Sequence, residues 1–180
     1  MLINVILIII VIITGFILVS YNSFIRSNNR VKQRESAIDI LLNQRFELLP
    51  NLIETVKGYS KHESSTFENL SKLRSSYNNS NFSVDETNKI DKEFGRLFAI
   101  AESYPELKAN TNFLDLQSNL TEIENKLNTA RMRYNDAVTS FNNKVESVPS
   151  NIIAKIFGFT QKDLFKLEDN KKENIKVNFD

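Results

Sequence analysis

The sequence predicts an all-α protein: an N-terminal transmembrane helix followed by an up-and-down helix bundle with long helices. Three observations lead there. Leu2 to Val19 is apolar but for Asn4, Thr14 and Gly15, and no charged side chain precedes Arg26. Only four Gly and three Pro stand among 180 residues, so turn signals are too few for an all-β chain. Beyond residue 35, apolar side chains recur at three- and four-residue spacing in one run after another. The chain divides into an anchor with its flank (1–25), a helical bundle (26–158) and a C-terminal tail (159–180).

The anchor comes first. A helix from Leu2, continued through Tyr21, Phe24 and Ile25, crosses a hydrocarbon core of ~30 Å at about 1.5 Å per residue. Fifteen of the eighteen residues Leu2–Val19 are Ile, Leu, Val or Phe. At roughly 0.3–0.6 kcal/mol each, they favour insertion by on the order of 5 kcal/mol. The run is long, Ser20-Tyr21-Asn22-Ser23 is a poor cleavage site, and no cysteine is present for lipidation. The segment is therefore expected to stay as an anchor. Arg26, Arg30, Lys32 and Arg34 follow it, opposed nearby only by Glu35. Lys and Arg resist translocation, which places residues 26–180 in the cytoplasm and Met1 outside. The alternative is a helical domain displayed or secreted outside the cell.

In the next segment Ile38, Leu41, Leu42, Arg45, Leu48, Leu49, Leu52, Val56 and Tyr59 share one helical face. Pro50 interrupts it, but the stripe continues in phase, so the spacing predicts one kinked helix over 27–60. Ser60 and Glu63 have capping-box spacing and introduce a second helix, separate from the first or continuous with it, with Phe67, Leu70, Leu73 and Tyr77 inward. Asn78-Asn79-Ser80-Asn81 reads as a polar loop. Ser83 and Glu86 open a third helix, with Ile90, Phe94, Leu97, Phe98 and Ala101 inward, which Pro105 brings to a stop.

Phe113, Leu116, Leu120, Ile123, Leu127, Ala130, Tyr134, Ala137, Phe141 and Val145 then follow a near-heptad seam. No Pro or Gly falls between Glu106 and Val148, so a helix of about 37 residues is expected. A short helix over Asn151–Phe157 is closed by Gly158. Thr160 and Asp163 cap one further turn carrying Leu164 and Phe165, and Ile175, Val177 and Phe179 alternate as in a short extended segment. None of these stripes buries itself alone, and short loops make successive helices antiparallel neighbours.

Composition excludes several functions. With 23 Lys and Arg against 22 Asp and Glu, there is no electrostatic footprint for nucleic acid, and no binding motif for it appears. A phosphate-cradling Gly loop is absent, and the aromatic residues fall at core spacing. His62 is the only histidine; Glu63 beside it does not converge with it on a helix, and no Glu-x-x-His pair occurs. No catalytic, cofactor-binding or metal-binding residue is predicted, and no small-molecule substrate. Arg45 is the exception on the apolar faces. A buried guanidinium costs several kcal/mol unless paired. Either Arg45 snorkels to solvent, or it meets Glu122 or Glu124, with Arg131 and Asn135 on the flank of Glu124, in a polar cluster that fixes helix register.

Several spaced motifs carry a family resemblance. Leu49-Pro50-Asn51-Leu52-Ile53-Glu54-Thr55-Val56-Lys57-Gly58-Tyr59 with His62-Glu63 resembles the opening signature of the LemA family. Tyr104-Pro105-Glu106-Leu107-Lys108-Ala109-Asn110 with Asn112-Phe113 is similar to its central motif. Tyr21-Asn22-Ser23, Glu124-Asn125, Ala130-Arg131, Tyr134-Asn135, Pro149-Ser150-Asn151 and Phe157-Gly158-Phe159 fall where that family has them. The resemblance covers about residues 20–160; the stretch 75–92 and the tail after Phe159 match little. It implies a bacterial membrane protein with one span, an outward N-terminus, a four-helix bundle and no established enzyme activity. Family members are often encoded beside membrane stress proteases or TPM-domain membrane proteins, which hints at envelope maintenance.

The function these readings predict is that of a membrane-anchored interaction or scaffold protein, its partners being the lipid bilayer and other proteins at its surface. An enzyme or metalloprotein is the lesser alternative. Phe157, Phe159, Leu164 and Phe165 are expected to form an exposed docking patch for a protein partner, unless they fold back onto the bundle.

Overall fold

The computed structural model describes residues 1–57, 64–78 and 82–166, with residues 64–67 and 78 described for their helical backbone alone. His62, the Ser60–Glu63 box and the alternating Ile175, Val177 and Phe179 lie outside the described residues. Seven helices and no strand occur among those described. They are α1 (Leu2–Glu47), α2 (Leu49–Lys57), α3 (Ser64–Asn78), α4 (Val84–Glu102), α5 (Pro105–Lys108), α6 (Thr111–Glu146) and α7 (Ser150–Phe157).

The anchor and the first bundle helix are a single uninterrupted rod, α1, of 46 residues. At 1.5 Å per residue it is roughly 70 Å long. Its apolar first part is exposed through Phe16, and from Ile17 onward it enters the bundle. No described residue covers the run from Leu2 to Phe16, and the apolar run is long enough to cross a membrane. Farther along, Phe24, Val31, Ile38, Leu42 and Phe46 are buried. The expected kink falls at Leu48, before Pro50, where a single residue that keeps right-handed helical angles (φ −78°, ψ −16°) divides the helix into α1 and α2. Proline has no N–H to offer the carbonyl four residues back. That carbonyl, of Phe46, accepts instead from Leu48 N–H. The chain restarts as α2, with Leu52 N–H donating to Leu48 O at 3.1 Å, and the stripe continues in phase through Leu49, Leu52 and Val56.

The long partner of α1 is α6, of 36 residues. Every residue of its expected seam, from Phe113 to Val145, is buried or half-buried. Asn110 caps it, its Oδ1 accepting from Phe113 N–H at 3.1 Å. The two helices run antiparallel: Lys144 meets Ser23 at one end, and Glu124 meets Arg45 near the other. The helices α3 and α4 pack on each other and complete the bundle. Tyr77 of α3 donates to Asp39 of α1, and Phe46 packs against Tyr77 and Phe94. Ser83 caps α4 by accepting from Glu86 N–H at 3.5 Å, the side-chain half of the expected box. One feature was not anticipated: α5, a single turn led by Pro105 that buries Leu107 under the α4–α6 connection.

Gly158 closes α7 in the left-handed region, at φ 72°, with Phe159 N–H donating to Ala154 O at 2.9 Å. The expected helical turn at Thr160–Phe165 does not form. Residues 159–166 are instead an extended strap lying along α6. Backbone groups of Lys162, Asp163 and Phe165 are held by side chains of α6 and not by a turn of the strap's own. Asn142 Nδ2 donates to Lys162 O while its Oδ1 accepts from Lys162 N–H, both at 2.9 Å. Asn135 holds both backbone groups of Phe165 in the same way, also at 2.9 Å. The spacing has a simple cause. Seven residues of helix rise about 10.5 Å, and three residues of extended chain cover roughly 10 Å, so amides one heptad apart meet every third strap residue in register.

The strap also corrects the expected docking patch. Phe159 folds inward and stacks on Phe24 (centroids 4.7 Å apart), and Phe165 packs edge-on against Tyr134 at 5.3 Å. Only Phe157 and Leu164 of that set remain exposed. Beneath the strap, Tyr134 donates to Asp163 O at 3.0 Å. Burial, reinforced by the charges of Glu35 and Asp163, pushes its phenol up to about 12 from 10.0. A folded-state pKa raised in this way supplies stability that is full below pH 10.0 and lost as pH rises through about 12. We therefore expect phenolate absorbance from Tyr134, identified by its disappearance in Tyr134→Phe, to emerge near pH 12 in the native protein and near 10.0 once it is unfolded. A native signal at the ordinary value would show that the strap does not cover this ring.

Candidate functional site

Arg45, the charged residue on the apolar stripe, is 5% exposed and does not snorkel to solvent. Three helices converge on it. Its Nη1 donates to Asp91 Oδ1 of α4 at 2.8 Å and stands 3.1 Å from Glu124 Oε2 of α6. Arg131, one heptad beyond Glu124 on α6, reaches the same two carboxylates: Nη2 lies 2.7 Å from Asp91 Oδ2, and Nη1 lies 3.7 Å from Glu124 Oε1. The result is a closed, charge-neutral ring of two guanidiniums and two carboxylates. Phe94 lies under Arg45, with Cζ 4.2 Å from the ring centroid, and Phe165 flanks Arg131 at 5.4 Å.

Of the two expected partners for Arg45, the structure uses Glu124. Glu122 points away and pairs with Lys126 at 2.6 Å on the exposed face, where the hydrogen bond from Lys126 holds its carboxyl below the usual range. Asp91 is the partner that sequence reasoning missed. It follows Ile90 on the rim of the apolar face of α4, and only inter-helix register brings it to Arg45. Asn135, expected near Glu124, is turned to the strap.

The ring's chemistry is that of a structural clamp. The guanidiniums offer donors only, and both carboxylates are committed to charge pairing. Only the Arg45–Asp91 contact is aligned as a hydrogen bond; the other three are ion pairs. Glu124 Oε2, Arg131 Nη2 and both guanidinium Nε atoms are buried without a hydrogen-bond partner. Polar capacity in the ring is thus only partly used, which makes it sensitive to the loss of any member. Among the described residues, no group of three His, Cys, Asp or Glu converges as a metal site.

Above the ring an open groove of about 1040 Å³ runs between α4 and α6. Asn88 and Lys92 of α4 line one side, Asn125, Asn128 and Met132 of α6 the other, and Phe165 and Lys166 of the strap complete the lining. Four cations (Arg45, Lys92, Arg131, Lys166) against two carboxylates (Asp91, Glu124) leave its lining at +2. Asn128 lies one heptad before Asn135, and so continues the row that already holds Phe165 and Lys162.

The LemA family model matches residues 34–179. The match reaches well past Phe159, where resemblance by motif ends. The chain is 25% identical over 160 residues to Protein LemA of Metamycoplasma hominis, covering 86% of this chain and 72% of that one. It is 22% identical over 179 residues to Magnetosome protein MamQ 2 of Paramagnetospirillum magneticum, covering 83% and 66%. To Magnetosome protein MamQ of Magnetospirillum gryphiswaldense it is 20% identical over 178 residues, covering 83% and 65%, so it spans just under two thirds of these last two relatives.

With the ring as the clamp between α1, α4 and α6, Arg45→Ala leaves Asp91 and Glu124 sharing Arg131 alone and costs about 1–3 kcal/mol in urea unfolding of the micelle-bound protein. Double-mutant cycles should give coupling for both Arg45/Asp91 and Arg45/Glu124, larger for the aligned Asp91 pair. Zero coupling in both cycles would dismantle the ring.

Proposed function

The chain belongs to the LemA family, and we propose that it is a membrane-anchored scaffold that holds an extended segment of a protein partner in the groove between α4 and α6. It is a binding protein in this reading, not an enzyme. One observation carries it: the row of asparagines on α6. Asn142 and Asn135 demonstrate the chemistry, each taking the N–H and C=O of one residue of an extended strand. Asn128 presents the same side chain, exposed, at the next heptad and inside the groove. A segment laid there would gain backbone hydrogen bonds whatever its sequence, while the +2 lining favours acidic side chains. In envelope maintenance, which family resemblance hints at, a tethered holder of extended segments would keep client chains at the membrane surface.

The bundle faces the cytoplasm in this proposal, supported by Arg26, Arg30, Lys32 and Arg34 directly after the span. With no native cysteine, Ser76→Cys on the exposed side of α3 reports the topology. A membrane-impermeant maleimide should leave it unlabelled in intact cells and label it after lysis; labelling of intact cells reverses the orientation.

For the groove, a photo-crosslinking residue replacing exposed Met132 should join the full chain to a partner polypeptide. That adduct should fall sharply with Asn128→Leu and persist in a chain lacking residues 167–180. An adduct indifferent to Asn128→Leu, or lost with the tail, would refute the partner-holding reading.

A further inference from the structure

The structure also positions a face that the scaffold reading leaves unused. The last helix, α7, buries Ile153 and Ala154 against the bundle. On its other side Ile152 is 56% and Ile156 66% exposed, one turn apart on one face, and Val148 in the preceding turn is 80% exposed. Phe157, 45% exposed, extends the same patch. An isolated apolar side chain on a surface is ordinary; four on one eight-residue helix and its lead-in turn are a contiguous face.

What covers this face is set by where α7 sits. The Phe157 ring packs on Tyr21 of α1, with centroids 4.7 Å apart, and Phe159 packs on Tyr21 and Phe24. Tyr21 stands two residues past Val19, the end of the apolar run, or about 3 Å along the axis. Because α1 is unbroken from Leu2 to Glu47, that distance is fixed by the helix and not by a linker. Half-buried Ile17, inside the apolar run, also packs against the bundle core. The foot of the bundle therefore stands at the level where hydrocarbon gives way to headgroups. Interfacial helices seat their apolar faces roughly 5–10 Å into that zone, and Tyr is at home there. Exposed Lys155 on α7 and exposed Arg26, about 7.5 Å past Tyr21 on α1, supply cations near that level, suited to phosphate headgroups.

We infer that α7, with the turn before it, is a lipid-contacting foot. Ile152, Ile156, Phe157 and Val148 rest in the interface of the same bilayer that α1 spans, giving the bundle a second membrane contact beside its anchor.

The chain contains no tryptophan, so a single one reports without background. Full-length Ile156→Trp is compared in phosphatidylcholine–phosphatidylglycerol vesicles with Ile40→Trp, also an exposed isoleucine on α1, roughly 30 Å farther from the membrane than Tyr21. With acyl-chain-brominated lipid, Ile156→Trp should emit to the blue and lose the larger part of its intensity, while Ile40→Trp keeps its own. Water-like emission from Ile156→Trp, insensitive to brominated lipid, overturns the proposal. Blue-shifted emission insensitive to brominated lipid means that protein, such as a second copy, covers the face, and overturns it too. Quenching at both positions means that the whole bundle lies on the bilayer and no foot exists. Val148→Trp, in the turn, repeats the measurement without touching α7 and should be quenched as well.

Discussion

From Ser23 to Arg45, α1 lies against α6 from Lys144 back to Glu124: twenty-two residues of one helix are matched by twenty of the other. Near-equal advance along two antiparallel rods is what side-by-side packing with a small crossing angle requires. The rest of the molecule is hung on this pairing. It brings Arg45 opposite Glu124 and Arg131, leaving a space that Asp91 of α4 fills. It also puts Phe141 beside Phe24, so that α7 and Phe159 land next to the end of the apolar run. Lys144 shows how close the packing is at the membrane end. Burial, with Arg26 nearby, lowers its pKa while its ammonium donates to Ser23 Oγ at 3.1 Å.

Two kinds of polar contact work differently within this frame. The ring around Arg45 is a buried charge network, where removal of one member leaves others stranded, so its contribution lies in register more than in net stability. The asparagine row uses neutral amides to receive a backbone. Each Asn presents one donor and one acceptor, the same pair that a neighbouring β-strand presents. In this way α6 takes up an extended chain without any sheet being present among the described residues. The two features meet in the groove, whose floor is the ring and whose wall continues the row.

What was legible in the sequence was periodicity. The α6 seam and the inward faces of α4 and of the α1–α2 stripe follow from spacing alone, because long unbroken helices leave the pattern undisturbed. Arg45 could be singled out because a charge on an apolar stripe is a local anomaly. Asp91 could not, since a carboxylate on the edge of a stripe is ordinary and its partner is chosen by register between helices. The core role of Phe24 and Val31 was hidden by the polar Ser27 and Asn28 between them, although Ser27 is itself buried. The strap was misread for a related reason. Thr160 and Asp163 have the spacing of a cap, but the hydrogen bonds that decide the conformation come from Asn135 and Asn142, 30 and 20 residues away. Local propensity lost to long-range satisfaction of the backbone.

The absence of any break in α1 between lipid and bundle has a mechanical corollary. From Val19 to Glu47 the helix is a stiff lever of roughly 42 Å, and spans commonly lean about 20° from the bilayer normal to match its thickness. A lean altered by some 10° swings the far end, where Arg45 and the groove begin, through roughly 7 Å. Bilayer thickness is thereby converted into displacement of the groove over the membrane surface, with no hinge to absorb it.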